Sequence, residues 1–465
     1  MRGYAQAGLA GELIPRLIVP KLAKAEWRGQ PGSPGFGESA RFWKKEWTTI
    51  LILFLFFRIL YSLLGVLEAS GPDPEPLSGG PVYEAAATLL KQGAVSHALV
   101  NVWFRWDTVW YLKIAAFGYS PQDGTLAFMP LYPWLVRGLG ALTGNYLLTA
   151  LIISNLACLL ALLLFYEVVL GEVRNNDIAL WGTFLLTSFP SAFFLFVAYT
   201  DPLFLALVLA AWLFARRGNW LAAGLLAALA TLCRLQGVLM SIVLLWAFLA
   251  PCSFKRLFKI HHEVHDPPKT GVRGTQRKVL ISSFVTLCAL CVNKLRKPDW
   301  LAVFLPALTF AAYTLWLRLA GWGSIPATLE THWGIRTVAP WTGFGLFLQR
   351  LIGGQRVFID YVDLSLFIVM LVLLIVGLFR LDPGLSLYNI LTLCLFFMRG
   401  TPPHLLDSFS RYFLTLFPAF IMVAQLTTIT IGSLRNRILR MVLWSVSIGL
   451  QIFLVIGFLD WRWIA

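Results

Sequence analysis

The sequence predicts an all-α, polytopic membrane protein: a helical bundle with about eleven transmembrane helices and amphipathic helices in its first extracytoplasmic loop. Three observations predict it. Hydrophobic residues make up 58% of the 465 and charged ones only 13%, with a mean hydropathy of +0.73, which is more apolar surface than one water-soluble core absorbs. Apolar runs near the membrane-spanning length of about twenty residues recur along the chain. Lys and Arg gather in alternate connections, and this marks those connections as cytoplasmic. The formal net charge of +15 reflects the same bias, spread over short loops facing anionic lipid, so nucleic acid is not an expected partner.

Residues 1–46 carry Pro15, Pro20, Pro31 and Pro34 among scattered bases, without an apolar core followed by a small-residue cleavage site. They are expected to be an uncleaved cytoplasmic basic tail, and 47–465 to be one membrane domain. The first span runs from Trp47 to Leu67, and Arg41, Lys44 and Lys45 place its start inside. Residues 68–146 form a long outside loop that opens with GPDPEPLSGGP and has amphipathic stretches near 82–93 and 103–117. Spans follow near 147–170, 177–199, 202–215, 219–233 and 236–250, with Arg174, Arg216 and Arg217 inside. Residues 251–298 read as a cytoplasmic basic loop. Its run VLISSFVTLCALCV, 279–292, is short for a crossing and has bases on both flanks, so it is expected to be a non-spanning segment, interfacial or re-entrant, the alternative being a crossing that would send His332, His404 and Arg411 inside. The remaining spans fall near 300–319, 364–380, 384–399, 412–431 and 438–459, which leaves the C-terminus outside. All six cysteines lie in or beside apolar stretches, so no disulfide framework is indicated.

This topology carries Asp107, Asp201, Arg234, His332, His404 and Arg411 to the outer face. Scarce ionisable groups that converge at membrane ends are costly unless they pair or line a hydrated pocket, so their convergence points to a site. The richest stretch is FRWDTVWYLKIAAFGYS, Phe104 to Ser120, where an acid stands among three tryptophans. Read as a helix, it puts Trp103, Asp107, Trp110 and Tyr111 on one face at spacings of three and four, and flat rings suit the C–H faces of a sugar. The alternative is an interfacial helix whose rings belong to the aromatic belt. Asp201 admits a supporting, metal-binding or helix-capping role. His261 and His265 in HHEVHD have a spacing that permits metal ligation, yet the motif is not HExxH and reads as a solvated basic loop. No Walker A or dinucleotide signature is present.

FRWDTVWYLKIAAFGYS and the following LAFMPLYPWL resemble the first-loop signature of the PIG-V family, the GPI mannosyltransferase II type. Arg105, Trp106, Asp107, Tyr111, Ile114, Ala115, Gly118, Tyr119, Ala127, Phe128, Pro130, Leu131, Tyr132 and Pro133 stand in its positions. Ser188 to Leu207 is similar to a later family segment, with Thr200 and Asp201 where Ser and Glu are usual. Cys233 to Leu239 resembles another, departing at Leu235 and Gln236, and Phe409 to Pro418 matches a third. The resemblance implies the GT-C class of membrane glycosyltransferases: a helical bundle whose first-loop acid, here Asp107, acts as catalytic base toward the acceptor, with a polyprenyl-phosphate sugar as donor.

The implied reaction is an inverting displacement onto a lipid, glycan or protein acceptor. Arg234 and Arg411 are expected to hold the leaving phosphate, and Arg105, Trp106, Trp110, Tyr111, Tyr132, Asp201, His332 and His404 to line the substrate site. No cofactor is certain; a divalent metal is admitted with its ligands unknown, as is a partner subunit. The membrane would be the plasma membrane in a prokaryote or the endoplasmic reticulum in a eukaryote, with the active site extracytoplasmic or lumenal. The competing classes are a transporter or lipid flippase, which would place its ionic groups near the bilayer midplane, and a non-catalytic scaffold subunit.

Overall fold

The computed structural model describes residues 45–72, 80–249, 298–353, 358–400, 406, 408–429 and 434–462. The expected tail over 1–44, most of the basic loop 251–298 with its 279–292 run, and His404 lie outside them. The regular structure of the described residues is helical, apart from one antiparallel bridge between Thr337 and Arg399. In chain order the helices are α1 (Lys45–Glu68), α2 (Pro81–Ala87), α3 (Ala94–Leu99), α4 (Asp107–Phe117), α5 (Leu131–Thr143), α6 (Tyr146–Val173), α7 (Asn176–Ser188), α8 (Asp201–Arg216) and α9 (Trp220–Cys233). They continue with α10 (Leu235–Leu249, opening in a 3-10 turn), α11 (Leu305–Leu319), α12 (Ile325–Trp333), α13 (Pro340–Gly353), α14 (Phe358–Arg380), α15 (Pro383–Phe396), α16 (Phe409–Thr415), α17 (Phe417–Ile429) and α18 (Leu434–Leu459).

Side-chain caps set several of the starts. Asn145, Asn175, Asn219 and Ser324 each accept from the backbone N–H three residues on, opening α6, α7, α9 and α12, and Asp382 accepts from Gly384 to open α15. One large core runs from α1 to α18 and a second, smaller one joins Leu126 and Met129 with Tyr313 and Leu317 of α11 and Ile325 of α12, while outward apolar residues such as Ile52, Phe56, Ile59 and Leu63 on α1 are exposed, as a lipid-facing surface requires.

Five helices among the described residues are long and apolar enough to cross a membrane, or six if the bent pair α16 and α17 counts as one span. The chain is therefore a multi-pass membrane protein, though the described residues hold fewer full-length spans than the eleven expected. The difference lies in short or broken helices. α8 has 16 residues, and α9 and α15 have 14 each. The expected span 177–199 stops at Ser188, because Pro190 turns Phe189 to extended geometry (ψ 142°) and offers no N–H of its own. The span expected over 412–431 bends by 81° between α16 and α17, with Pro418 in the first turn of the second helix.

The break after α7 matters most for the site. Residues 189–200 run as 3-10 and turn structure, deeply buried, so each unpaired carbonyl needs a partner. Neighbouring helices supply them. Gln451 Nε2 on α18 donates to the Thr187 and Phe189 carbonyls at 3.2 and 2.9 Å, and Asn155 Nδ2 on α6 to Phe196 at 2.9 Å. Arg58 Nη1 on α1 reaches the same Phe196 oxygen at 3.5 Å. Ser154 Oγ donates to the Tyr199 carbonyl at 2.9 Å, and Thr108 Oγ1 of α4 to that of Ala198 at 3.4 Å. An irregular segment is thereby clamped in the apolar interior and delivers Tyr199, Thr200 and Asp201 to one point.

Candidate active site

Asp107 is the first residue of α4, where a carboxylate sits favourably against the helix dipole. The preceding Trp106 has φ 51°, a left-handed conformation uncommon for a bulky residue, and the bend it makes separates α4 from the 3-10 turn Asn101–Trp103. This corrects the single face read from the sequence, because Trp103 is not on the acid's helix and packs beneath Gly65 of α1. The Asp107 N–H donates to Tyr199 Oη at 3.2 Å, tying the start of α4 to the clamped segment.

Four ionised side chains from four separate elements form a chain. Arg411 of α16 donates from Nη1 to Asp107 Oδ2 at 2.6 Å, and from Nε and Nη2 to Asp201 Oδ2 at 3.2 and 2.9 Å. Arg234, just past α9, donates from Nη1 to Asp201 Oδ1 at 2.5 Å. Exposure grades along it: the Asp201 side chain is 0% exposed, Arg234 10%, Arg411 13% and Asp107 26%. Asp201 is thus an internal anchor with both oxygens occupied, and Asp107 is the acid nearest solvent.

The arginines are themselves seated. The Arg411 guanidinium lies over the Tyr199 ring at 4.5 Å and the Phe194 ring at 5.2 Å. Arg234 donates from Nε to Gln236 Oε1 at 3.0 Å and from Nη1 to Thr200 Oγ1 at 3.3 Å. The turn that carries Gln236 folds back on α9 so tightly that a Cβ on Gly237 would fall 2.2 Å from the Thr231 backbone nitrogen. Ser410, next to Arg411, donates its backbone N–H to Asp363 Oδ1 of α14 at 2.9 Å.

The other expected site residues fall in different places. Tyr111 Oη lies 3.2 Å from Thr200 Oγ1, at the edge of the ionic chain. Trp110 stacks on Phe128 at 5.6 Å and meets Trp333 of α12 at 4.8 Å. His332, on α12, bonds the Gln122 carbonyl at 3.0 Å, so α12 docks on the 120–128 loop through His332 and Trp333. Tyr132 is wholly buried, its Oη held by the Ala150 carbonyl and Ser154. Arg105 turns away to the Leu459 carbonyl at 2.8 Å and the Trp461 ring, and Trp106 packs on Trp461 as well. Tyr199, Thr200 and Gln236, which the sequence reading gave no site role, hold the ionic chain in place; their signal was membership of segments already set apart by motif, Thr200 and Gln236 as departures from its pattern. Among the described residues no group of three or more His, Cys, Asp or Glu side chains gathers to hold a metal ion.

Fold and site together define a multi-pass helical membrane protein with an acid–arginine centre assembled at helix ends. Residues 45–266 match the family model described as mannosyltransferase (PIG-V), which bears out the resemblance over that stretch and supports a glycosyltransferase. Among solved structures, the chain is similar to ArnT from Cupriavidus metallidurans, crystallised with undecaprenyl phosphate, at 15% identity and a TM-score of 0.43. The alignment takes in 88% of this chain and 64% of ArnT, so this chain spans less than two thirds of that protein's length. No curated protein matches the sequence significantly.

Proposed function

We propose that this chain is a GT-C-type membrane glycosyltransferase that moves a mannosyl unit from a polyprenyl-phosphate donor to an extracytoplasmic glycolipid, glycan or protein acceptor. The observation that carries the reading is the Asp107–Arg411–Asp201–Arg234 chain, which sets one partly exposed carboxylate against the Arg411 guanidinium and joins Arg234 to it through Asp201. Inverting displacement needs both kinds of group. The acceptor hydroxyl oxygen bonds to the anomeric carbon while its proton passes to the Asp107 carboxylate. The bond from that carbon to the phosphate oxygen breaks, and its electron pair leaves with the phosphate. Arginine forks suit the charge that gathers on the phosphate oxygens. Arg411 orients the Asp107 carboxylate, and Asp201 holds both arginines. A lipid-linked donor fits a site built at helix ends in a membrane protein, since its chain can lie along apolar helices.

The test is transfer by the full-length chain in nanodiscs, supplied with radiolabelled polyprenyl-phosphate mannose and a cell-envelope extract as acceptor source. Labelled product is expected with wild type and less than about a tenth of it with Asp107→Asn, which keeps shape and removes the base. Transfer from GDP-mannose without any polyprenyl phosphate, or an active Asp107→Asn variant, overturns the reading.

A further inference from the structure

We infer that Trp333 of α12 is a positioning residue for the acceptor: it fixes the Trp110 ring against which the acceptor lies as its hydroxyl reaches Asp107. The inference rests on the displacement proposed above and names what holds the acceptor side of it. Successive residues of a helix point about 100° apart, so along α4 Tyr111 stands about 40° to one side of Asp107 and Trp110 about 60° to the other. The Tyr111 side leads to the arginines through Thr200, whose Oγ1 lies 3.2 Å from Tyr111 Oη and 3.3 Å from Arg234 Nη1. The leaving phosphate belongs there. An inverting displacement brings the acceptor oxygen in opposite the leaving group, and that is the Trp110 side.

That side is a wall of three rings, and α12 completes it. Trp110 stacks on Phe128 with centroids 5.6 Å apart, and the Trp333 ring lies 4.8 Å from Trp110 and 5.6 Å from Phe128. All three residues are partly exposed, so the wall keeps surface for a ligand. The Trp333 indole N–H donates to the Gly124 carbonyl at 3.3 Å, beside the bond of His332 Nε2 with the Gln122 carbonyl at 3.0 Å. Gly124 has φ 80°, and a Cβ there would fall 3.0 Å from His332 Cβ, so glycine is what lets α12 come this close. The seat is stiff in its turn. Lys113 of α4 pairs with Asp123, whose Oδ1 accepts from Thr125 N–H at 3.1 Å and from Thr125 Oγ1 at 2.7 Å. Ile325, Thr328, Leu329, His332 and Trp333 recur at the spacing of one helix face, and Ile325 anchors the far end of that face in the smaller core with Leu126 and Met129. Trp333 lies beyond residues 45–266, so the stretch that the family model covers does not contain it.

The experiment uses the full-length chain in nanodiscs with radiolabelled polyprenyl-phosphate mannose. It reads the half-saturating amount of cell-envelope extract and the donor KM for wild type, Trp333→Ala and Trp333→Phe. Trp333→Ala should raise the half-saturating amount of extract about fivefold or more while donor KM stays at the wild-type value, since the acceptor alone loses its support. Trp333→Phe, which keeps a ring against Trp110, should recover most of the loss. An unchanged requirement for extract overturns the inference, as does a phenylalanine variant no better than alanine. An equal rise in donor KM, or a loss of transfer that saturating extract does not restore, marks a merely structural role and overturns it as well. If the alanine variant does not fold, Trp333→Leu takes its place under the same criteria. A wild type that gives no labelled product at any amount of extract removes the glycosyltransferase reading itself, and the Trp333 assignment falls with it.

Discussion

Replacing Asp201 by asparagine separates the anchor of the ionic chain from its reactive end. Asp201 is fully buried and accepts from Arg234 Nη1 on one oxygen and from Arg411 Nε and Nη2 on the other. Asp201→Asn keeps one oxygen but turns the other into an NH2 donor that confronts a guanidinium. Both arginines are then left mostly buried, at 10% and 13% exposure, without their shared counter-charge. Breaking a buried ion pair in this way costs about 3–5 kcal/mol. Asp107→Asn removes a single bond from Arg411, at a carboxylate 26% exposed, and Arg411 keeps Asp201. Its cost, screened by solvent, is about 1 kcal/mol or less. The two variants should therefore differ by at least about 2 kcal/mol in stability, taking the low end of the buried-pair range against the exposed one. The assay is the thermal midpoint of each variant in nanodiscs by tryptophan fluorescence, paired with transfer from polyprenyl-phosphate mannose. Asp201→Asn should melt clearly lower and also lose about a hundredfold in transfer, because the guanidiniums that orient the reaction are displaced. If the two variants melt together, or Asp201→Asn transfers at the wild-type rate, the anchor role is refuted.

Gly237→Ala should lower stability by about 1–3 kcal/mol and raise donor KM, since its Cβ would press within 2.2 Å of the Thr231 nitrogen and push away the turn that seats Arg234; an unchanged KM counts against this seating. Asn155→Leu should cost about 1–3 kcal/mol in stability by removing the main donor to the Phe196 carbonyl, and a neutral result would mean that Arg58 suffices there. Sidedness is checked with single cysteines introduced on a background in which all six native cysteines are replaced. Val95→Cys and Trp341→Cys, both at exposed positions, should react with an impermeant maleimide on intact cells, and Asp177→Cys only after permeabilisation. The reverse pattern overturns the extracytoplasmic placement of the site.

Much was legible in the sequence because it depends on composition and local chemistry. Long apolar runs marked out α1, α6 and α18 to within a few residues, since a membrane helix needs length and hydrophobicity and little else. The rarity of charge in such runs singled out Asp107, Asp201, Arg234 and Arg411 before any contact was known. What hydropathy could not resolve was where an apolar run stops being helical. Residues 189–200 are as apolar as a span, yet they are unwound, because Pro190 breaks the helix and Gln451, Asn155 and Ser154 from distant parts of the chain satisfy its carbonyls. Pairing was equally hidden. Arg411 meets Asp107 across 304 positions and Asp201 across 210, and no local pattern encodes a contact of that range. Arg105 shows the converse: it sits two residues from the acid in a motif, but the bend at Trp106 sends it to Leu459 instead. Which ionisable groups this membrane protein keeps is written in the chain itself. Which of them touch follows only from the folded bundle, because buried charges find their partners through the packing of whole helices and not through neighbours in the chain.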